Sequence, residues 1–157
     1  MNGGDEHTAK TLYLSDLDGT LIRSDEKISL YTADTVNRLV KSGGHFSYAT
    51  ARSFITAEKV TWGLNADITV ICYNGAFIIG NATKEILLAN YFKLEKSEEI
   101  QRILTECGIF PIVYAYINGK EQFSFLSQNV NPAMRLFLDS RTGDIRRREV
   151  QSENALL

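Results

Sequence analysis

The sequence predicts an α/β chain built around a parallel sheet, and three observations carry that prediction. Strand-like and helix-like segments alternate through the first half, the order that strand-helix-strand crossovers impose. Apolar runs end in polar or glycine-bearing junctions at Asp16-Leu17-Asp18-Gly19-Thr20, Thr50-Ala51-Arg52 and Asn74-Gly75-Ala76. Such junctions fall where open α/β sheets bind ligands, beyond the carboxyl ends of their strands. From about Phe92 the order changes to helix, hairpin, helix, which sets the expected domains at 1–91 and 92–157.

Taken in order, Leu12-Tyr13-Leu14 is a strand leading into the first acidic junction. Ser29 can cap a helix running to about Ser42, with Leu30, Ala33, Val36, Leu39 and Val40 as its apolar stripe and Gly43 ending it. His45 to Tyr48 is a second strand, and Ser53 or its neighbours start a second helix through Ala57 and Val60. Ile68 to Cys72 is a third strand, followed by a hairpin of Phe77 to Ile79 and Ile86 to Ala89 around Gly80-Asn81-Ala82-Thr83. In the second half, Ser97 is the expected cap of a helix that turns Ile100, Ile103 and Leu104 inward and stops at Gly108. Ile112 to Ile117 and Gln122 to Leu126 flank Asn118-Gly119, a strong hairpin signal. Asn131-Pro132 then opens a helix carrying Met134, Leu136, Phe137 and Leu138. The alternating aromatics Tyr114, Tyr116, Phe123 and Phe125 are expected to line one buried face of that second sheet rather than to contact substrate.

The junction after the first strand carries the chemistry. Residues i and i+2 of a strand share a face, so Asp16 and Asp18 can both reach the mouth above it, one to attack and the other to handle protons. Gly19 permits a sharp departure, and the Thr20 hydroxyl can tie the turn to nearby backbone or carboxylate. An EF-hand reading fails, because a loop starting at Asp16 puts Leu21 at the glycine position and Lys27 at the bidentate glutamate position. An ordinary turn would use the same residue types, so the later junctions decide.

Those junctions give the chain a family resemblance. An apolar strand followed by Asp16-Leu17-Asp18-Gly19-Thr20 resembles motif I of the haloacid dehalogenase (HAD) superfamily of phosphohydrolases. Thr50-Ala51-Arg52 after a second strand is similar to motif II of its Cof-like, type IIB branch, and Asn74-Gly75-Ala76 to an element of the same branch. The resemblance implies an incomplete Rossmann-like core, a three-layer fold with a parallel sheet, into which the first part of an α/β cap of type C2 is inserted. The family's later lysine and Gly-Asp-rich motifs have no counterpart here. Arg141-Thr142-Gly143-Asp144 contains Gly-Asp but lacks the apolar strand before it and the second acid after it. The chain is therefore expected to be the amino-terminal portion of a longer phosphatase.

The resemblance also implies roles. Asp16 would be the nucleophile, forming an aspartyl-phosphate, and Asp18 the general acid and base. Mg²⁺ would be held by the Asp16 side chain and the Asp18 main-chain carbonyl. Thr50 and the main-chain N–H groups near Leu17 and Ala51 would bind the phosphoryl oxygens; the structural alternative for Thr50 is a helix N-cap. Arg52 and Asn74 belong to the rim of the site. Arg52 would meet a substrate anion or pair with an acid beside the loop, and Asn74 would fix its turn through its side chain or contact substrate. The expected substrates are small phosphorylated metabolites. A noncatalytic phosphate- and metal-binding remnant is the alternative function. A receiver domain is disfavoured, since Cys72-Tyr73-Asn74 occupies the end of the third strand where the acceptor aspartate belongs.

Composition bounds the rest. A chain of 157 residues, 44% hydrophobic, can form a proper core, and it has no apolar run of the length a membrane span needs. Met1 to Glu6 lacks the features of a secretory signal, which sets the expected location as the cytoplasm. The formal charge of −2 argues against nucleic-acid binding, and Arg146-Arg147-Arg148 reads as a solvated face. Cys72 and Cys107 form no metal or redox pair, and the Asn81-Ala82-Thr83 sequon reads as a turn. If the first strand is central in the complete fold, its outer side is left bare here, and self-association through that edge is expected.

Overall fold

The computed structural model describes residues 11–65 and 67–156; the reading of Met1 to Glu6 lies outside them. The chain divides into two compact units between Tyr91 and Phe92. The first holds β1 (Leu12–Asp16), α1 (Leu30–Lys41), β2 (His45–Ala49), α2 (Phe54–Val60), β3 (Thr69–Cys72), β4 (Phe77–Gly80) and β5 (Ile86–Ala89). These strands form one mixed sheet in the order β1-β2-β3-β4-β5. β1, β2 and β3 run parallel, and β4 and β5 turn back antiparallel.

Local chemistry explains the crossovers between the parallel strands. The Ser29 hydroxyl accepts from the Thr32 N–H and caps α1, and Ser53 does the same for α2 through Thr56. α1 ends as Gly43, at φ +91, donates to the Val40 carbonyl and Gly44 to the Leu39 carbonyl, the two bonds of a Schellman turn. Ala33 and Val36 of α1 and Phe54 and Ala57 of α2 join Tyr48, Val70, Cys72, Phe77 and Ile79 in the main core. Leu30, expected in the α1 stripe, is instead exposed. It is the first residue of the helix, one turn before Ala33 brings the apolar face to the sheet. The sequon turn is also more than a turn, because buried Asn81 donates its side-chain amide to the Leu64 carbonyl.

The second unit holds α3 (Leu94–Glu106), β6 (Val113–Ile117), β7 (Lys120–Leu126), α4 (Pro132–Asp139) and β8 (Arg147–Val150). Its sheet has the order β6-β7-β8, with β6 and β7 antiparallel around Asn118-Gly119 and β8 parallel to β7. Asn131 caps α4 by accepting from the Met134 N–H. Several expectations change here: Ile103, expected to turn inward, is exposed, and so are Tyr114 and Tyr116, expected on a buried face. α3 begins at Leu94, so Ser97 lies one turn inside it and donates back to the Lys93 carbonyl instead of capping. β7 is the middle strand and is buried on both faces: Phe123 and Phe125 pack with Met134 and Leu138, and Leu126 packs with Val150 and Leu156. Arg146 is not solvated but buried, ion-paired with Glu121 and Asp144.

Candidate active site

The site grows from the end of β1. Leu17 is fully buried and fixes the chain as it leaves the sheet, its carbonyl accepting from the Leu21 and Ile22 N–H groups at 3.1 and 2.9 Å. Gly19 holds φ +77, and a Cβ there would meet nothing within 4 Å, so the backbone conformation rather than space calls for glycine. The Thr20 hydroxyl donates to the Asp16 carboxylate at 3.3 Å. That carboxylate is exposed and has no ion pair among the described residues.

Parallel pairing supplies the second wall. Asp16 is in register with Ala49, which places Thr50 just beyond it. Thr50 donates its N–H to the Ile71 carbonyl at 2.9 Å, the Asn74 N–H donates to the Thr50 carbonyl at 3.0 Å, and the Tyr73 N–H donates to the Arg52 carbonyl at 3.1 Å. These bonds lock the loops after β2 and β3 together. The Thr50 hydroxyl accepts from the Arg52 N–H at 3.1 Å and reaches the Asp18 carboxylate at 3.4 Å. Thr50 is therefore not the cap of α2, a task Ser53 performs. The Ala51 N–H makes no hydrogen bond to any described residue.

Arg52 closes the constellation. Its Nε lies 2.9 and 3.1 Å from the two Asp18 oxygens, and its Nη2 is 2.6 Å from one of them, a forked charge-assisted contact. The guanidinium hydrogen bonds hold the Asp18 carboxyl below the usual carboxylate range, and the same bonds raise Arg52. Glu26 stands 3.9 Å from the same Arg52 nitrogen, at φ 55 in the loop after Thr20. The sequence offered no periodicity or spacing that would have singled it out. Asn74 lies one loop farther on, exposed and at φ 54. Its side chain makes no hydrogen bond to a described residue, so it serves the turn through a left-handed backbone that Asn tolerates, not through its amide.

The donor set suits a hard cation in kind, since the Asp16 carboxylate and the Asp18 main-chain carbonyl are oxygen ligands. It is short in number. The Asp18 carboxylate is held by Arg52, and no group of three potential metal-ligating side chains occurs among the described residues.

Residues 13–151 match the model of the haloacid dehalogenase-like hydrolase family. A protein of Buchnera aphidicola subsp. Baizongia pistaciae named "Putative phosphatase" is 32% identical over 124 residues, covering 79% of this chain and 45% of that protein. A crystal structure of a protein from Eubacterium rectale superposes with a TM-score of 0.75 at 21% identity, covering 94% of this chain and 54% of the other. The structure of the HAD subclass IIB sugar phosphatase BT4131 gives 0.66 at 19% identity, covering 93% and 54%. At these identities the two structures speak for the fold. The chain spans about half the length of the relatives it matches.

Proposed function

The chain belongs to the haloacid dehalogenase-like hydrolases, and from that premise we propose that it carries the first half of a phosphatase acting on small phosphorylated metabolites in the cytoplasm. The observation that carries this reading is the convergence of Asp16, Asp18 and the Thr50 hydroxyl at the carboxyl ends of two parallel strands in register. Phe92 to Leu157 is read as the opening of a cap that selects the leaving group.

In the proposed cycle an Asp16 oxygen forms a bond to phosphorus as the bond to the leaving alkoxide breaks, giving an aspartyl-phosphate. Asp18 delivers a proton to that alkoxide, then removes one from the water that hydrolyses the aspartyl-phosphate and releases inorganic phosphate. Thr50 and the Ala51 N–H, with the N–H near Leu17, would donate to phosphoryl oxygens. Mg²⁺, held by the Asp16 carboxylate and the Asp18 main-chain carbonyl, would offset the repulsion between a carboxylate and a phosphate dianion. The first step places a demand on Arg52: a carboxyl that donates a proton must first hold one, and the guanidinium favours the ionised form. Arg52 must therefore loosen its fork when substrate enters, and the phosphate dianion offers it a competing acceptor.

That same fork supports a second reading. With Asp18 pinned and few cation ligands at hand, the site also suits a noncatalytic cradle that binds phosphate without turnover. Activity separates the two. In a chain extended to the length of its relatives, Mg²⁺-dependent release of phosphate from a phosphomonoester should appear and fall to background in Asp16→Asn. Full activity of that variant, or indifference to a chelator, would sink the mechanism; binding of phosphate without release would favour the cradle.

A further inference from the structure

We infer that Glu26 is a positioning residue for Arg52, an acceptor that takes over the guanidinium when Asp18 gives it up. The inference rests on the role proposed for Asp18, since an acid that moves protons must at one stage be rid of its cation. Arg52 cannot be left unpaired at that stage without cost: its side chain is only 25% exposed, and a largely buried charge without a partner is destabilising. An entering phosphate is one replacement acceptor, but it leaves again as product. Glu26 belongs to the chain and stays.

Glu26 stands beside the same nitrogen that Asp18 holds. Its Oε2 is 3.9 Å from Arg52 Nη2, and that nitrogen is 2.6 Å from Asp18 Oδ1. A charge-assisted hydrogen bond needs a gap about 1 Å shorter than the one to Glu26. Asp18 therefore holds the guanidinium in this arrangement, and a side-chain rotation of Glu26 can supply the missing distance. The loop that carries Glu26 is fixed at both feet. Ile22 and Ile28 are buried, and the Ile28 N–H donates to the Val60 carbonyl at 2.8 Å. Between them the Glu26 N–H donates to the Arg23 carbonyl at 3.0 Å, with Glu26 at φ 55, a left-handed backbone uncommon for glutamate. The neighbouring acid is used differently: Asp25 accepts from the Lys27 N–H at 3.4 Å and has no ion pair among the described residues. Arg52 thus has carboxylates on both sides of the turn after Thr20, one assigned to protons and one not. All three side chains belong to the first unit.

The test reads rotation about the Arg52 Nε–Cζ bond in NMR exchange spectra of the isotopically labelled 157-residue chain, with neither phosphate nor metal present. That rotation is slow while an acceptor holds Nη2, and the Arg52 signals are assigned by their loss in Arg52→Lys. Glu26→Gln alone should change the rate by less than about twofold, because Asp18 keeps its hold. In Asp18→Ala the rotation should quicken only in part. Adding Glu26→Gln to Asp18→Ala should then quicken it by a further factor of about two to five, the range of one exposed ion pair. Asp18→Asn, which keeps the shape of the acid without its charge, must give the same order of rates and serves in its place should Asp18→Ala disturb the amide spectrum. Equal rates with and without Glu26 in both Asp18 variants would overturn the inference. So would a Glu26→Gln effect as large with Asp18 present as without it, since Glu26 would then hold Arg52 throughout instead of receiving it. If either result came with Mg²⁺-dependent activity intact in the extended chain, it would strike the handover alone and leave the phosphatase reading standing.

Discussion

At the Asp18 carboxylate two nitrogens of one guanidinium compete with the proton, and the sign of the consequence is fixed. The folded carboxyl titrates below its ordinary value near 3.8 because Arg52 stabilises the charged form. The pair thus contributes stability above that ordinary value, and loses it as pH falls through the lowered one. Arg52→Gln should raise the Asp18 midpoint toward 3.8, read from the carboxyl carbon shift across an acid titration. An unmoved midpoint would show that the fork is not what holds the group. Asp16, Asp18 and Thr20 were legible in sequence because their relation is local, a strand end and a glycine turn. The partner of Arg52 was not, since 34 residues separate it from Asp18 and only the parallel register of β1 and β2 brings them together. Asn74 was legible as a turn residue, while its use of backbone over amide depends on a positive φ that composition does not declare.

Between neighbouring strands, a buried cation serves two acids. Arg146 gives Nε and Nη2 to Asp144 at 2.9 and 2.6 Å and Nη1 to Glu121, and both its partners are largely buried. Removing one member of such a group leaves uncompensated buried charge, at a cost of roughly 3–5 kcal/mol. Arg146→Met should therefore lower the unfolding free energy of the second unit by that order, read from urea titrations, and Arg147→Met, on the exposed neighbour, should change it little. Helix starts offer a second contrast. Ser29→Ala removes a cap that accepts from the Thr32 N–H and should cost about 1 kcal/mol. Ser97→Ala removes only a back-bond inside α3 and should be near neutral in the same urea titrations. Both contrasts mark where sequence patterning stopped. Three consecutive arginines look alike until β8 is laid beside β7, and a serine before an apolar stripe looks like a cap until the helix proves to start a turn earlier.

Alternation of strand and helix made the first sheet legible at the scale of the chain, since the first crossover had its own cap, stripe and stop and the second a cap. The second sheet was legible as a hairpin and a helix but not as a strand buried on both sides, because β8 returns parallel to β7 only after α4. The candidate site inherits its charge balance from this arrangement. Asp18 and Glu26 share one ion-pairing cation, Arg52, and the Asp16 carboxylate has no ion pair among the described residues. A phosphate dianion would enter against three carboxylates, and two oxygen ligands leave a hard, strongly hydrated cation mostly in water. Loss of one preorganised donor commonly costs on the order of 10²- to 10³-fold in rate, and the later lysine and acids that the family resemblance implies have no counterpart in these 157 residues. The 157-residue chain should accordingly release phosphate from a generic phosphomonoester no faster than its Asp16→Asn variant, even at high Mg²⁺. Activity should return when the remaining half of a relative is joined to it or added as a separate fragment. Metal-dependent turnover by the short chain that disappears in Asp16→Asn would instead mean that the groups already gathered around Asp16 suffice, with Arg52 released from Asp18 to meet the phosphate.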